Sequence, residues 1–162
     1  MRIEWMILFV VWLITLGLVF IIPKKNRRIA IVAFLFTQVI TWLLGLVVVE
    51  YGLITYPVRC FPTVNHTSFT YEFLSFPVLC GVVNAYYPHA RSKMMKFFYY
   101  ASFCTILTIL EAIIEKYTDL IKYLHWSWYW TWITLFISFM LSRWFCVWFF
   151  KGIAKEMEEK GL

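Results

Sequence analysis

Residues 110–132 read LEAIIEKYTDLIKYLHWSWYWTW. An apolar run ends in Glu111 and Glu115, passes through Asp119, Lys122 and His125, and resumes behind the ring-rich block Trp126, Trp128, Tyr129, Trp130 and Trp132. The flanking segments 97–117 and 126–150 are each apolar over the roughly 20 residues needed to cross ~30 Å of hydrocarbon. A connection of about eight residues makes them antiparallel neighbours. The stretch reads as the turn of a helical hairpin in lipid, with its Trp and Tyr collected at the interface.

Composition extends that reading to the whole chain. Hydrophobic residues make up 62% and charged residues 15%, against ~45–50% and ~25% in soluble globular proteins. Mean hydropathy is +0.74. A single domain of 162 residues has no interior large enough to hide that much apolar surface from water. The predicted class is all-α, an integral membrane helical bundle in one domain. Five spans are expected, over 5–22, 29–49, 70–87, 97–117 and 126–150, with 151–162 as a short polar tail.

The first span lacks a small-residue cleavage site and runs into Pro23-Lys24-Lys25-Asn26-Arg27-Arg28, so it reads as a retained helix rather than a signal peptide. The third carries Glu72, Asn84 and Pro77. That proline should kink the helix and free the carbonyl of Phe73.

Basic residues fix the expected orientation. Lys24, Lys25, Arg27, Arg28, Arg91, Lys93, Lys96, Arg143, Lys151, Lys155 and Lys160 fall on one side; Arg2, Arg59, Lys116 and Lys122 fall on the other. The positive-inside rule then places the N-terminus outside and the C-terminus in the cytoplasm. The net charge of +6 reports orientation, and no nucleic-acid partner is inferred from it. Arg143, inside the fifth span, either snorkels to the interface or meets an anionic headgroup or partner subunit. Cys60, Cys80, Cys104 and Cys146 are widely spaced with no C-x-x-C, which suits packing residues rather than a disulfide framework or zinc site.

The loop from Glu50 to Phe69 is too apolar for ordinary solvent loop. It either lies in the interface or extends the second helix to Pro57, which would place Glu50 within the membrane. Within it, Asn65-His66-Thr67 matches a glycosylation acceptor on the outer side.

Polar residues recur at helical spacing. The fourth span carries Ala101, Cys104, Thr105, Thr108, Glu111, Ala112 and Glu115; the fifth carries Ser127, Thr131, Thr134, Ser138 and Ser142; the second carries Gln38, Thr41 and Gly45. Small and hydrogen-bonding residues are how helices pack in lipid. The glutamates ask for more. Glu111 lies about 9 Å below the outer end of its helix, where an ionised carboxylate costs up to ~2.5–3.5 kcal/mol unless protonated, paired or wetted.

Glu4, Glu50, Glu72, Glu111, Glu115 and Asp119 share the outer half with few bases. Glu111 and Glu115, with Glu72 and Glu50 as neighbours, are expected to form one outward-facing polar site, edged by Asp119, His125 and Arg59. Carboxylates crowded in a low-dielectric site cannot all ionise, so at least one is expected to titrate well above its reference value of ~4.3. Three readings stay open. One is proton or cation sensing or permeation, or an accessory membrane subunit. Another is a metal-dependent enzyme acting on lipid, for which a divalent cation is the one cofactor considered. The third is structural ion pairing. No H-E-x-x-H, G-x-S-x-G or phosphate-binding glycine loop supports catalysis, so sensing or permeation ranks above it. The bilayer is the expected partner, and a conducting form would need further copies of the chain or another membrane protein.

The order FIIPKKNRR, FLFTQVITWLLGLVVVE, LITYPVRCF, TSFTYEF, IEKYTDLIKYLHWSWYWTWIT and LSRWFCVWFFK resembles a family of small integral membrane proteins of endospore-forming Firmicutes such as Bacillus and Clostridium. The resemblance covers nearly the whole chain. It implies a bacterial cytoplasmic-membrane location and carries over no activity.

Overall fold

The computed structural model describes residues 2–159, with side chains from 3 to 152; the side chains of Arg2, Lys155 and Lys160 and the end of the polar tail lie outside the described residues. The elements run α1 (Arg2–Ile21), α2 (Arg27–Glu50), β1 (Ile54–Thr55), a π-helical segment (Phe69–Ser75) leading into α3 (Phe76–Ala85), α4 (Lys93–Tyr117), β2 (Lys122–Tyr123) and α5 (Trp128–Glu159). Four helical stretches, Ile3–Ile21, Lys24–Glu50, Lys93–Tyr117 and Trp128–Gly152, are long and apolar enough to cross a membrane. Their outer faces carry large exposed apolar side chains such as Phe9, Phe20, Leu43, Ile109 and Trp144. A perimeter of this kind suits a lipid solvent.

The remaining helix, Phe69–Ala85, is shorter and is the most enclosed. In α3, Pro77, Val78, Cys80, Gly81, Val83, Asn84 and Ala85 are all buried. Every other helix reaches it with a side-chain hydrogen bond. Thr15 donates to Ser75 (2.9 Å), Gln38 to the Phe73 carbonyl (3.0 Å) and Tyr99 to the Val83 carbonyl (3.1 Å), while Asn84 donates to Ser142 (3.1 Å).

Proline chemistry explains how this helix enters the bundle. Pro77 has no N–H, so it leaves one carbonyl unpaired in an α-helix, that of Phe73, and another in a π-helix, that of Glu72. The backbone is π-helical up to Ser75, with the Phe76 amide closing on the Tyr71 carbonyl. Both released carbonyls are taken by α2: Phe73 by Gln38 and Glu72 by the Thr41 hydroxyl (2.8 Å). The expected freeing of Phe73 thus has a partner, and the expected kink takes the form of a π-to-α change.

Helix α2 approaches α3 through small residues. A Cβ at Gly81 would stand 2.9 Å from the Ala30 carbonyl oxygen, and Ala30 and Ala33 are buried there. On the far side of α3 the core is Cys80, Val83, Tyr100, Cys104 and Phe139. The four cysteines are free thiols, and Cys80, Cys104 and Cys146 are buried.

Of the two forms expected for the 51–68 connection, the extension of α2 to Pro57 does not occur. Helix α2 stops at Glu50, and Ile54–Thr55 pairs antiparallel with Lys122–Tyr123, Ile54 opposite Tyr123. The ribbon is extended by Leu124 N–H and His125 N–H donating to the Leu53 carbonyl, and by Val58 N–H donating to the Asp119 carbonyl. Two connections distant in sequence are knitted into one cap over the helix ends.

Candidate functional site beneath the ribbon

Side chains two apart on a strand share a face, so Tyr56 follows Ile54 on one face and Tyr123 follows Ile121 on the matching face of its partner. Ile54, Tyr56 and Ile121 are buried against Val48, Val49, Ile114 and Trp126. The apolar residues seat the ribbon, and the two tyrosines carry hydroxyls down to two glutamates.

Tyr56 donates to Glu72 Oε1 (2.7 Å), and the Thr67 hydroxyl donates to Glu72 Oε2. Tyr123 donates to Glu111 Oε1 (2.6 Å), as does Thr131 (2.9 Å), which itself receives the Trp126 indole N–H (2.9 Å). Burial first, then the charge of the facing glutamate, hold both phenols well above the ordinary tyrosine range. They remain protonated donors. Glu72 and Glu111 are close enough for their charges to act on one another, and Glu111 also acts on Tyr71, whose buried hydroxyl has no partner among the described residues. Among the described residues, neither carboxylate is paired with Lys, Arg or His.

Local sequence fixes Glu72. The Asn65 Oδ1 accepts from the Thr67 amide (3.2 Å), and Ser68 caps the π-segment by accepting from the Tyr71 amide (3.3 Å). That turn aims Thr67 and Glu72 at each other. On the opposite side, Gly45 leaves the space the Glu72 carboxylate occupies: a Cβ there would overlap its atoms. The Asn65 side chain is buried, with its Nδ2 unpartnered among the described residues, which leaves it no access for a glycan.

The other expected site residues lie elsewhere. Glu50 is exposed at the end of α2. Glu115 is half-buried beside Tyr123, its backbone carbonyl accepting from Lys122 Nζ (3.3 Å). Asp119 is exposed and pairs with Lys122 at 3.5 Å. His125 is exposed, with Nδ1 3.4 Å from the Gly52 carbonyl oxygen. Arg59 donates to three backbone carbonyls, Asn65 (2.7 Å), Tyr56 (2.6 Å) and Pro62 (3.2 Å); it holds the loop together rather than meeting a carboxylate. The polar stripes divide similarly. Thr131 and Ser142 serve neighbouring helices, whereas Thr134 and Ser138 bond back to their own.

Tyr56 and Tyr123 were not singled out as site residues by the sequence. Two-residue strands are too short to display a period of two, so no pattern marks their shared face. Among the described residues, no three His, Cys, Asp or Glu side chains gather as a metal-holding group. No family model, curated protein or solved structure matches the chain.

Proposed function

We propose that the chain is an integral membrane protein crossing the bilayer five times, N-terminus outside and C-terminus cytoplasmic, whose tyrosine-capped carboxylates form an outward-facing, proton-responsive latch. The observation that carries the reading is the pairing of Tyr56 with Glu72 and Tyr123 with Glu111 from one ribbon face, with hydroxyls in place of cations. The gathering of basic residues at the opposite helix ends supports the orientation. The resemblance supports a bacterial cytoplasmic membrane.

A hydrogen bond to an ionised carboxylate is roughly twice as strong as a neutral one. Protonation of Glu72 or Glu111 therefore loosens the ribbon, and acid outside becomes a change in the cap. Sensing is favoured over permeation because the interior below Thr108 is filled: Cys80, Cys104 and Phe139 are each 0% exposed. A metal-dependent enzyme has less support, since no three-ligand cluster is present among the described residues.

Backbone hydrogen exchange in lipid nanodiscs tests the latch. Acidification from pH 8 to pH 5 is expected to speed exchange at Val58, Leu124 and His125, whose N–H groups close the ribbon, by about tenfold relative to α3, beyond the intrinsic pH effect, since each hydrogen bond weakens by ~1 kcal/mol or more. In Glu72→Gln/Glu111→Gln the difference should disappear. A ribbon whose pH response is unchanged in that variant would remove the carboxylates from the mechanism. Orientation is tested separately with a cysteine-free background. Val64→Cys, at a position 84% exposed, should react with an impermeant maleimide on intact cells, and Arg91→Cys only after lysis; the reverse result would invert the topology.

A further inference from the structure

At the end of the bundle opposite the ribbon, the start of α2, the turn after α3 and α5 enclose a cleft of about 480 Å³. Among the described residues, five basic ones line it, Lys25, Arg28, His89, Arg143 and Lys151, and no acid does. Ile29, Cys146, Val147 and Phe150 supply the rest of the wall. Arg143 is the innermost cation. Its guanidinium lies over the Tyr87 ring, 4.3 Å from the centroid, and Nη2 stands 3.3 Å from His89 Nδ1. Nη1 is buried with no partner among the described residues.

Arginine stays charged in proteins, so this guanidinium keeps its charge whatever surrounds it. A ring face and an imidazole partly offset its desolvation, and neither supplies a negative charge. His89 adds little repulsion of its own, because burial, then Arg143 and Lys96, lower its pKa and favour the neutral ring. The remaining four cations still repel one another across the cleft. An anion with several acceptor oxygens relieves that repulsion and supplies the acceptors that a planar guanidinium and flexible ammonium groups recognise.

We infer that this cleft binds a phosphate-bearing anion, and its apolar wall beside Phe150 and Val147 points to the headgroup of an anionic phospholipid with an acyl chain laid against α5. The site is separate from the tyrosine–glutamate pairs and independent of the latch reading. Cations at this depth recognise a phosphate directly, and the apolar strip distinguishes a lipid from free phosphate.

Native mass spectrometry of the full chain, released from nanodiscs containing equal phosphatidylglycerol and phosphatidylcholine, tests the assignment. Phosphatidylglycerol is expected to be retained at least about tenfold over phosphatidylcholine, the effect of one charge-assisted contact. Arg143→Gln should lose that preference, and Lys25→Gln/Arg28→Gln, at exposed positions, should reduce it without disturbing the fold. Lys122→Gln, at the opposite end, should retain it. Inorganic phosphate at millimolar concentration should displace little of the lipid. Complete displacement would show that the apolar wall contributes nothing and would overturn the lipid assignment in favour of free phosphate. Equal retention of both lipids by the wild type, or an undiminished preference in both cleft variants, would overturn the site itself.

Discussion

Gly45→Ala is expected to destabilise the protein by roughly 2–5 kcal/mol, although alanine is the better helix former by ~1 kcal/mol. The added methyl falls on the Glu72 carboxylate. Helix α2 is held against retreat, because Gln38 and Thr41 bond the Phe73 and Glu72 carbonyls of the π-helical segment. The carboxylate must move instead. Tyr56 and Thr67, respectively 5% and 0% exposed, then lose their acceptor, and each hydrogen bond to a charged group is worth ~1.5–3 kcal/mol. Two such losses, less the helix-propensity gain, give the stated range.

The sharper expectation is non-additivity. In a Glu72→Ala background the obstruction and both hydrogen bonds are already gone, so Gly45→Ala should cost nothing and even stabilise by up to ~1 kcal/mol. Reversible unfolding in mixed micelles across the four-variant cycle measures this. Additive costs would mean that Gly45 serves backbone packing alone. Gly81→Ala is the control, since its methyl meets the Ala30 carbonyl oxygen, a backbone atom that Glu72→Ala cannot relieve.

Hydropathy made the long helices legible because lipid-facing helices are apolar all round and need no fine periodicity to be seen. The shorter helix was harder to read. Its polar residues, Glu72 and Asn84, and its proline looked like faults in a span, whereas in the structure they are the groups that neighbouring helices use to hold it. Gln38 and Thr41 were visible as a stripe on α2, but nothing in the sequence shows that they answer the two carbonyls freed by Pro77. That match depends on a π-helical turn, which hydrophobic patterning does not encode.

Glu111 stood out because a carboxylate in an apolar run is costly. Glu72 was visible for the same reason. Their phenolic partners sit in loops, where tyrosine is unremarkable, and only the pairing of Ile54 with Tyr123 brings Tyr56 and Tyr123 to one face. Glu50 illustrates the opposite problem. The apolar run through Glu50 does not by itself distinguish a helix that continues from one that stops; what stops it is Gly52, whose φ of 65° lets the Gly52 and Leu53 amides turn back onto the Val49 and Val48 carbonyls.

Phe139→Ala is the second large effect expected. Phe139 is fully buried where α3, α4 and α5 meet, 5.4 Å between ring centroids from Phe76 and 6.0 Å from Tyr100, in contact with the cluster that holds Cys80 and Cys104. In a water-soluble core, removing a phenylalanine costs ~3–5 kcal/mol, part of it the lost transfer from water. Where unfolded helices remain in lipid, that transfer contribution is absent, because lipid tails are as apolar as the side chain. The cavity contribution remains, on the order of 2–3 kcal/mol, at ~24 cal/mol per Å³ left unfilled. Phe20→Ala, at a position 84% exposed, should cost almost nothing by the same reasoning. Benzene should restore part of the stability of Phe139→Ala and none of the wild type, as apolar cavities bind it; a variant that benzene leaves unchanged would mean that the helices have closed the gap. The same substitution separates sensing from permeation. Eight residues of helix, about 12 Å, lie between Thr131 at the site and Phe139 below it, so the ring stands between the carboxylates and the other end of the bundle. Wild-type proteoliposomes are expected to hold a proton gradient as well as empty ones, with any leak appearing only in Phe139→Ala. A wild-type leak that depends on Glu111 would instead mean that protons pass the ring, and the site would have to be read as part of a pathway.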